Sequence, residues 1–356
     1  MLDQADAVPV KVAVLGATGY TGAELLRLLA GHPGVQVTAA TSDSYAGKRL
    51  DGIFPHLYPS PLILQPTSAP VGEVAEEAGV VFLCLPHGLA MDMVPGLLEA
   101  GRRVVDFGAD FRLRDPEAYR QWYGHAHRCP ELLGEAVYGI PEVKRREIAR
   151  ARLVANPGCY PTSVILALAP LASWPGVDWR AVVADCKSGV TGAGRGPSLG
   201  THYPEVNDSL RPYNVAGVHR HVPEIEQELA GLAGREVRVA FTPHLVPMSR
   251  GMLSVIYLRV EPVPSLDDLY QAYREHYRDE PFVHVLEPGE LPATVHVRGT
   301  NRCHLAVGVD GRTGGVLVFS AIDNLGKGAA GEAVQNLNVM MGWPEETGLG
   351  APALFP

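Results

Sequence analysis

The sequence predicts a two-domain protein, an α/β domain built on a doubly wound parallel sheet followed by an α+β domain. Three observations predict it. At 356 residues the chain exceeds what one hydrophobic core usually organises. A glycine-rich turn near the N-terminus joins an apolar β-branched run to a helical pattern. The alternation of strands and helices then gives way, after about residue 155, to long strand-like runs with few helices between them.

The elements follow in order. Residues 11–16 (KVAVLG) read as a strand, and AELLRLLAGHP, with Leu25, Leu28 and Leu29 at helical spacing, reads as a helix stopped by Gly31 and Pro33. Further strands are predicted over 35–42, 80–86 and 102–108, with a helix in MDMVPGLLEAG. The stretch 112–145, rich in Tyr, His, Pro and Arg, reads as irregular and is expected to cap this domain. In the second half, strands are predicted over 181–190, 237–247, 251–260 and 315–323, with helical patterns around 162–171 and 265–277. The last helix carries Ala330, Ala333, Val334, Leu337 and Met340 on one face and is expected to pack back on the first domain. The resulting partition is 1–157 with 325–356 as the dinucleotide-binding domain and 158–324 as the catalytic and oligomerisation domain.

Composition narrows the function classes. An apolar share of 46% with 19% charged residues is that of an ordinary globular protein. No apolar run approaches the roughly 18 residues of a membrane helix. The N-terminus carries acidic residues where a secretory leader would carry basic ones, so a cytoplasmic location is expected. A formal charge of −9 without a basic stripe disfavours nucleic acid. The five cysteines, Cys84, Cys129, Cys159, Cys186 and Cys303, are scattered and unpaired in spacing, which disfavours a disulfide framework and a zinc site.

Gly16-Ala17-Thr18-Gly19-Tyr20-Thr21-Gly22 has glycines at every third position between a strand and a helix. Such a turn lets the backbone approach a pyrophosphate, which the free N–H groups and positive end of the helix dipole then bind. The alternative is a merely tight strand-to-helix turn. At the end of the second strand, Thr41, Ser42, Ser44 and Lys48 are candidates for holding a ribose 2′-phosphate, and Asp43 opposes one if it points inward.

Asn156-Pro157-Gly158-Cys159-Tyr160-Pro161-Thr162 is the most informative stretch. Pro161 suits the first turn of a helix, which places Cys159 where dipole and amides favour a thiolate and where the same amides stabilise an oxyanion. A buried structural cysteine is the competing reading. His219 and His221, two apart in an extended chain, share one side, and Glu224 follows in the first turn of a helix opened by Pro223. These are proton-transfer candidates; as a metal site the pair lacks further ligands nearby, so none is expected. Ser188, Gly189, Gly192, Gly194 and Gly196 form a second glycine-rich loop, either a flexible connection or an anion cradle in which Arg195 grips a carboxylate or phosphate. Arg112 is a second cation for this purpose or a structural ion pair.

With these residues in place, the chain closely resembles the N-acetyl-gamma-glutamyl-phosphate reductase family, type 1. The matching pieces are LGATGYTGAELLRLL, LPHG (85–88), DFGADFRL, VYGIPE, ANPGCYPT, KSGVTGAGRG, HRHVPEI and SAIDNLGKGAAGEAVQNLN. The resemblance implies a Rossmann-like domain plus an α+β domain of the semialdehyde dehydrogenase type, an NADP(H) cofactor, and a homotetramer or homodimer. It implies Cys159 as nucleophile, with His221 favoured over His219 because Glu224 lies close by. It also implies Leu85, Pro86, His87, Gly88 and Asn324 beside the nicotinamide, with Ser188 and Gly189 of the second loop, and Asn156, Gly194, Arg195 and Arg112 toward the substrate. The family often has a basic residue near position 43 or 44, where this chain has Asp43 and Ser44. The implied reaction reduces an acyl phosphate to an aldehyde through a thioester. Rival readings are a carrier-protein-linked aminoadipyl or glutamyl-phosphate reductase and a non-catalytic NADP-binding sensor.

Overall fold

The computed structural model describes residues 8–355. Residues 1–7, on which the expectation about a leader rests, lie outside the described residues. The chain divides into two compact units, the first running to Pro157 and resuming over Ala330–Gly350, the second comprising Gly158–Ala329 and the residues from Ala351 onward.

In the first unit β1 (Val10–Leu15), α1 (Tyr20–Ala30) and β2 (Val35–Ala40) are followed by two one-turn helices, α2 (Leu50–Ile53) and α3 (Val71–Val74). Then come β3 (Val80–Leu83), α4 (Ala90–Glu99), β4 (Arg103–Asp106), α5 (Pro116–Tyr123), β5 (Val137–Tyr138), α6 (Pro141–Ile148) and β6 (Leu153–Ala155). The sheet is six-stranded, ordered β2-β1-β3-β4-β6-β5, and every pair is parallel. Val12, Ala13, Val14, Val81, Phe82, Val104 and Val105 are completely buried, as the continuous apolar runs of a doubly covered parallel sheet require.

The stretch 112–145 is not irregular. It supplies α5, α6 and edge strand β5, so it extends the domain rather than capping it. Asp115 accepts from the Glu117 N–H and Pro116 stands at the first position, giving α5 a well-made start. Gly124, with φ +83, closes it.

In the second unit α7 (Cys159–Leu168) precedes β7 (Val182–Ser188), α8 (Tyr203–Val206), β8 (Arg211–Pro212), α9 (Val222–Ala233), β9 (Val239–Leu245) and β10 (Met252–Arg259). α10 (Leu266–His276), β11 (Val283–Val285), β12 (Cys303–Asp310) and β13 (Gly315–Ile322) complete it. The seven strands are ordered β11-β12-β13-β10-β7-β9-β8, with β11/β12 and β7/β9 parallel and the other pairs antiparallel. Strand β10 alternates strictly: Met252, Ser254, Ile256 and Leu258 are buried, while Tyr257 stands 45% exposed on the other face. The covered face carries α7, whose residues from Tyr160 to Leu168 are all buried. A hydroxyl cluster fixes this helix: the Ser163 hydroxyl lies 2.8 Å from Ser254 Oγ and donates to Ser320 Oγ at 3.0 Å. Near its far end, Tyr273 of α10 and Tyr277 at its C-cap donate to the Ala167 and Leu166 carbonyls, two of the groups a helix end leaves open.

The final helix, α11 (Gly331–Met341), belongs to the first unit and lies against α1 and α6. It is not one-faced, since its polar residues are buried too. The Gln335 amide donates to Glu142 and Glu345, Asn336 donates to the Gly139 carbonyl, and Asn338 donates to the Glu345 and Thr347 carbonyls. The return to the first unit begins at Ala330 rather than residue 325, because the preceding turn is held by Asp323. The last described residues cluster with the second unit, where Leu354 N donates to the Arg298 carbonyl. No helix among the described residues is long and apolar enough to cross a membrane.

Candidate active site

In the first unit the glycine loop has the form its spacing predicts. Gly16 has φ +81, and a Cβ there would meet the Cys84 carbonyl oxygen at 2.2 Å; one on Gly22 would meet the Gly16 oxygen at 2.6 Å. Gly19, the N-cap of α1, has its nearest would-be contact at 3.8 Å and offers no side-chain oxygen to the first-turn N–H groups. Two glycines thus pack the turn inward while the third leaves an open approach to the helix end, a cradle that fits a dinucleotide pyrophosphate.

Ala17, Thr41 and Ser42 are buried and hold this loop. Ala17 N donates to the Thr41 carbonyl, Gly16 N to Thr41 Oγ1, and the Thr18 and Ser42 hydroxyls lie 2.7 Å apart. Ser44 and Lys48 are exposed, and the Asp43 carboxylate accepts from Thr67 N at 2.8 Å. Tyr20 and Thr21 start α1, with Tyr20 38% exposed. After β3, Leu85, Pro86 and His87 form a partly to fully exposed turn. There His87 Nδ1 accepts from Ala109 N, and Gly88, at φ +93, donates to the Asp110 carboxylate.

Arg112 is buried, its Nε donating to the Asn156 carbonyl and its Nη2 to the Phe107 carbonyl, while Asn156 is wholly enclosed with its side chain 3.1 Å from Asn336 Nδ2. These polar groups clamp the chain beyond β4 and β6.

In the second unit Cys159 is the first residue of α7 and is half-buried, with Gly158 as N-cap. The other four cysteines lack such a place, and burial pushes the Cys129 thiol up to about 11 and the Cys186 thiol up to about 12. The segment bearing His219 and His221 docks on this helix start. Glu224, itself buried in the first turn of α9, accepts from Gly158 N at 2.8 Å, a bond that pins the N-cap of the cysteine helix. The two imidazole centroids are 4.8 Å apart, and both rings meet Tyr160 edge-on at 5.7 and 5.9 Å.

The chain between the histidines is a turn and not an extended segment, since His221 is helical in φ and ψ and its N–H donates to His219 Nδ1. His219 is buried, and burial followed by the Arg220 charge lowers its imidazole to about 4. His221 is half-buried at the N-cap of α9.

Several residues that sequence patterns did not single out complete this neighbourhood. The Tyr213 hydroxyl donates to Tyr160 Oη at 3.0 Å, and burial pushes both phenols far up. Gly328 abuts the nucleophile candidate, since a Cβ on it would lie 2.8 Å from Cys159 Cβ. Gly328 N donates to the Asp323 carbonyl, and the buried Asp323 carboxylate accepts from Arg250, Gly299 N and Leu325 N. The loop from Ser188 runs over 248–251: Gly189 N donates to the Gly251 carbonyl and Val190 N to the Met248 carbonyl. Asn324 ties it down, accepting from Gly251 N and donating to Thr191 Oγ1, and the Ser188 hydroxyl donates to the Gly189 carbonyl. Gly194 (φ +84) and half-buried Arg195 lie beyond, on an exposed stretch. Tyr213, Asp323 and Arg250 reach the site from distant segments, so no local spacing announces them.

A parallel sheet with a glycine loop at its first crossover, joined to a mixed-sheet unit with a cysteine at a helix start, defines the semialdehyde dehydrogenase class. Residues 11–151 match the model of the semialdehyde dehydrogenase NAD binding domain, and residues 159–324 match that of the semialdehyde dehydrogenase dimerisation domain. Among solved structures, aspartate semialdehyde dehydrogenase II of Vibrio cholerae superposes with a TM-score of 0.72 at 18% identity, covering 94% of this chain and 99% of that one. The NADP-bound aspartate semialdehyde dehydrogenase of Candida albicans does so with a TM-score of 0.69 at 20% identity, covering 94% and 99%. The N-acetyl-gamma-glutamyl-phosphate reductase of Pelotomaculum thermopropionicum is 53% identical over 98% of this chain and 99% of its own length. That of Geobacter metallireducens is 54% identical over 98% and 100%. The chain belongs to the N-acetyl-gamma-glutamyl-phosphate reductase family and is an oxidoreductase.

Proposed function

We propose that this protein reduces N-acetyl-γ-glutamyl phosphate to N-acetyl-L-glutamate 5-semialdehyde and phosphate, with NADPH, in arginine biosynthesis. The observation that carries the reading is Cys159 at the start of α7, with the His219–Glu224 segment docked on that helix end.

The helix N-terminus favours a negatively charged sulfur, which attacks the acyl carbon. A C–S bond forms, the C–O bond to phosphate breaks, and phosphate leaves with its electron pair. First-turn N–H groups of α7 stabilise the carbonyl oxygen as it gains charge. A dinucleotide held on the glycine loop of the first unit would supply a hydride to the thioester carbon. The resulting thiohemiacetal alkoxide re-forms its C=O bond, the C–S pair returns to sulfur, and His221 provides the proton that eases its departure. His219, neutral near pH 7 and fixed by the His221 N–H, orients the segment. Arg195 grips an anionic group of the substrate.

Ser44 and Lys48 at the end of β2 support NADP over NAD, as does the engagement of Asp43 with Thr67 N. The uncovered sheet face, with Val183 and Tyr257 at 39% and 45% exposure, supports a homodimer or homotetramer.

The test is phosphate-dependent reduction of NADP⁺, and separately of NAD⁺, with N-acetylglutamate 5-semialdehyde. Activity that requires phosphate and runs better with NADP⁺ supports the reading. Silence with both moves a carrier-bound acyl phosphate to first place. In the same assay His221→Asn is expected to lower kcat by about 10²–10⁴-fold. His219→Asn, whose amide oxygen can still accept from the His221 N–H, is expected to lose much less; equal losses would remove the distinction between them.

A further inference from the structure

At the β11 edge of the second unit's sheet lies a cavity of about 570 Å³. Its walls carry Arg274 from α10 and Arg278 just beyond it, His284 from β11, Arg302 just before β12 and His304 within it, against one carboxylate, Glu280. Three guanidinium groups facing a single carboxylate stand out in a chain of net charge −9.

Neighbours neutralise part of this charge. Arg274 donates to Glu287 at 2.6 Å, and Arg278 approaches Glu275 only to 4.0 Å. The exposed Arg302 guanidinium has no ion-pair partner among the described residues.

His304 also stands at the wall of this cavity. Its Nδ1 is enclosed and has no hydrogen-bond partner, a costly condition for a polar atom. Its ring faces that of His284 at 5.4 Å. Burial, then the charges of His284, Arg302 and His296, hold this imidazole down at about 4. The cavity therefore collects cations and an unsatisfied ring nitrogen but holds little negative charge of its own.

The cavity is separate from the candidate active site. Tyr277, the C-cap of α10, lines it and bonds to the Leu166 carbonyl, about 10 Å along α7 from Cys159 by helix rise.

We propose that this cavity binds a small phosphate-type anion, held by Arg302 and Arg278 beside the His284 and His304 rings. Free phosphate and phosphomonoesters share this chemistry, and the experiment separates them.

The whole protein, with ¹⁵N-labelled histidine, is titrated with inorganic phosphate and separately with glycerol 3-phosphate while the imidazole signals are followed by NMR. Saturable movement of the His304 and His284 signals is expected, with the His304 titration midpoint rising as the anion binds. The tighter of the two probes identifies the source. Arg302→Ala is expected to weaken binding by about tenfold or more, with Arg302→Lys intermediate. Neither change should alter kcat or the KM for phosphate in the semialdehyde assay, because Arg302 has no part in that chemistry. Stationary His304 signals with both anions would overturn the proposal. So would equal movement in Arg302→Ala, or movement confined to His219 and His221.

Discussion

Cys159→Ser is expected to lower kcat by about 10³–10⁴-fold or more while leaving dinucleotide affinity within twofold of the parent. A serine fits the space of the half-buried cysteine, and α7 keeps the Glu224 bond to Gly158 N and the Ser163 hydroxyl cluster. The loss is therefore chemical. An alkoxide is far harder to form than a thiolate, even at a helix N-terminus, and an oxygen ester accepts hydride less readily than a thioester. Stopped-flow fluorescence of bound NADPH separates the two quantities. A serine variant with near-parental kcat would show that the sulfur is dispensable.

Gly328→Ala is expected to lower kcat by about 10²-fold, with a smaller change in melting temperature than a core cavity would produce. The added methyl would stand 2.8 Å from Cys159 Cβ and 3.2 Å from the Asp323 carbonyl oxygen, closer than carbon atoms settle. Neither neighbour can swing away. Cys159 is fixed by the start of α7, and Asp323 is fully buried under four donors, Arg250 Nε, Gly299 N, Leu325 N and Gly326 N. The nucleophile must then shift by several tenths of an ångström, and misplacement of a reacting atom by about 1 Å costs on the order of 10²-fold in rate. Wild-type kcat in Gly328→Ala would mean that this turn does not set the position of the sulfur.

The parts of the fold legible in the sequence are those that local chemistry determines. The glycine loop is one, because Gly16 needs positive φ and Gly22 needs room beside its own loop, and both needs fall within seven residues. The start of α7 is another, marked by Gly158 and Pro161. The longer strands of the second unit show as apolar runs, except β12, whose pattern His304 and Gly308 interrupt.

What stayed hidden depends on partners far along the chain. Helix α5 has only Tyr119 buried, so its apolar face is too thin to read against Tyr, His and Arg neighbours. Helix α11 buries Gln335, Asn336 and Asn338 because segments 139–142 and 345–347 meet their amides, and periodicity carries no trace of those segments. The surroundings of Arg112 and Asn156 were equally illegible. Beside a nucleophile motif their charge and polarity suggest substrate contact, yet backbone carbonyls and Asn336 take them up. The histidines were found by type and spacing, but only the turn between them gives His219 and His221 different surroundings.

The central claim is the covalent intermediate, and its most direct test is to trap it. The protein is mixed with N-acetyl-γ-glutamyl phosphate without any dinucleotide, quenched in acid, and examined by intact and peptide mass spectrometry. The account predicts a mass gain of one N-acetylglutamyl group per active chain, located on the peptide containing Cys159, removable by hydroxylamine and absent from Cys159→Ala. Phosphate release without an adduct, or an adduct on any other residue, would contradict it.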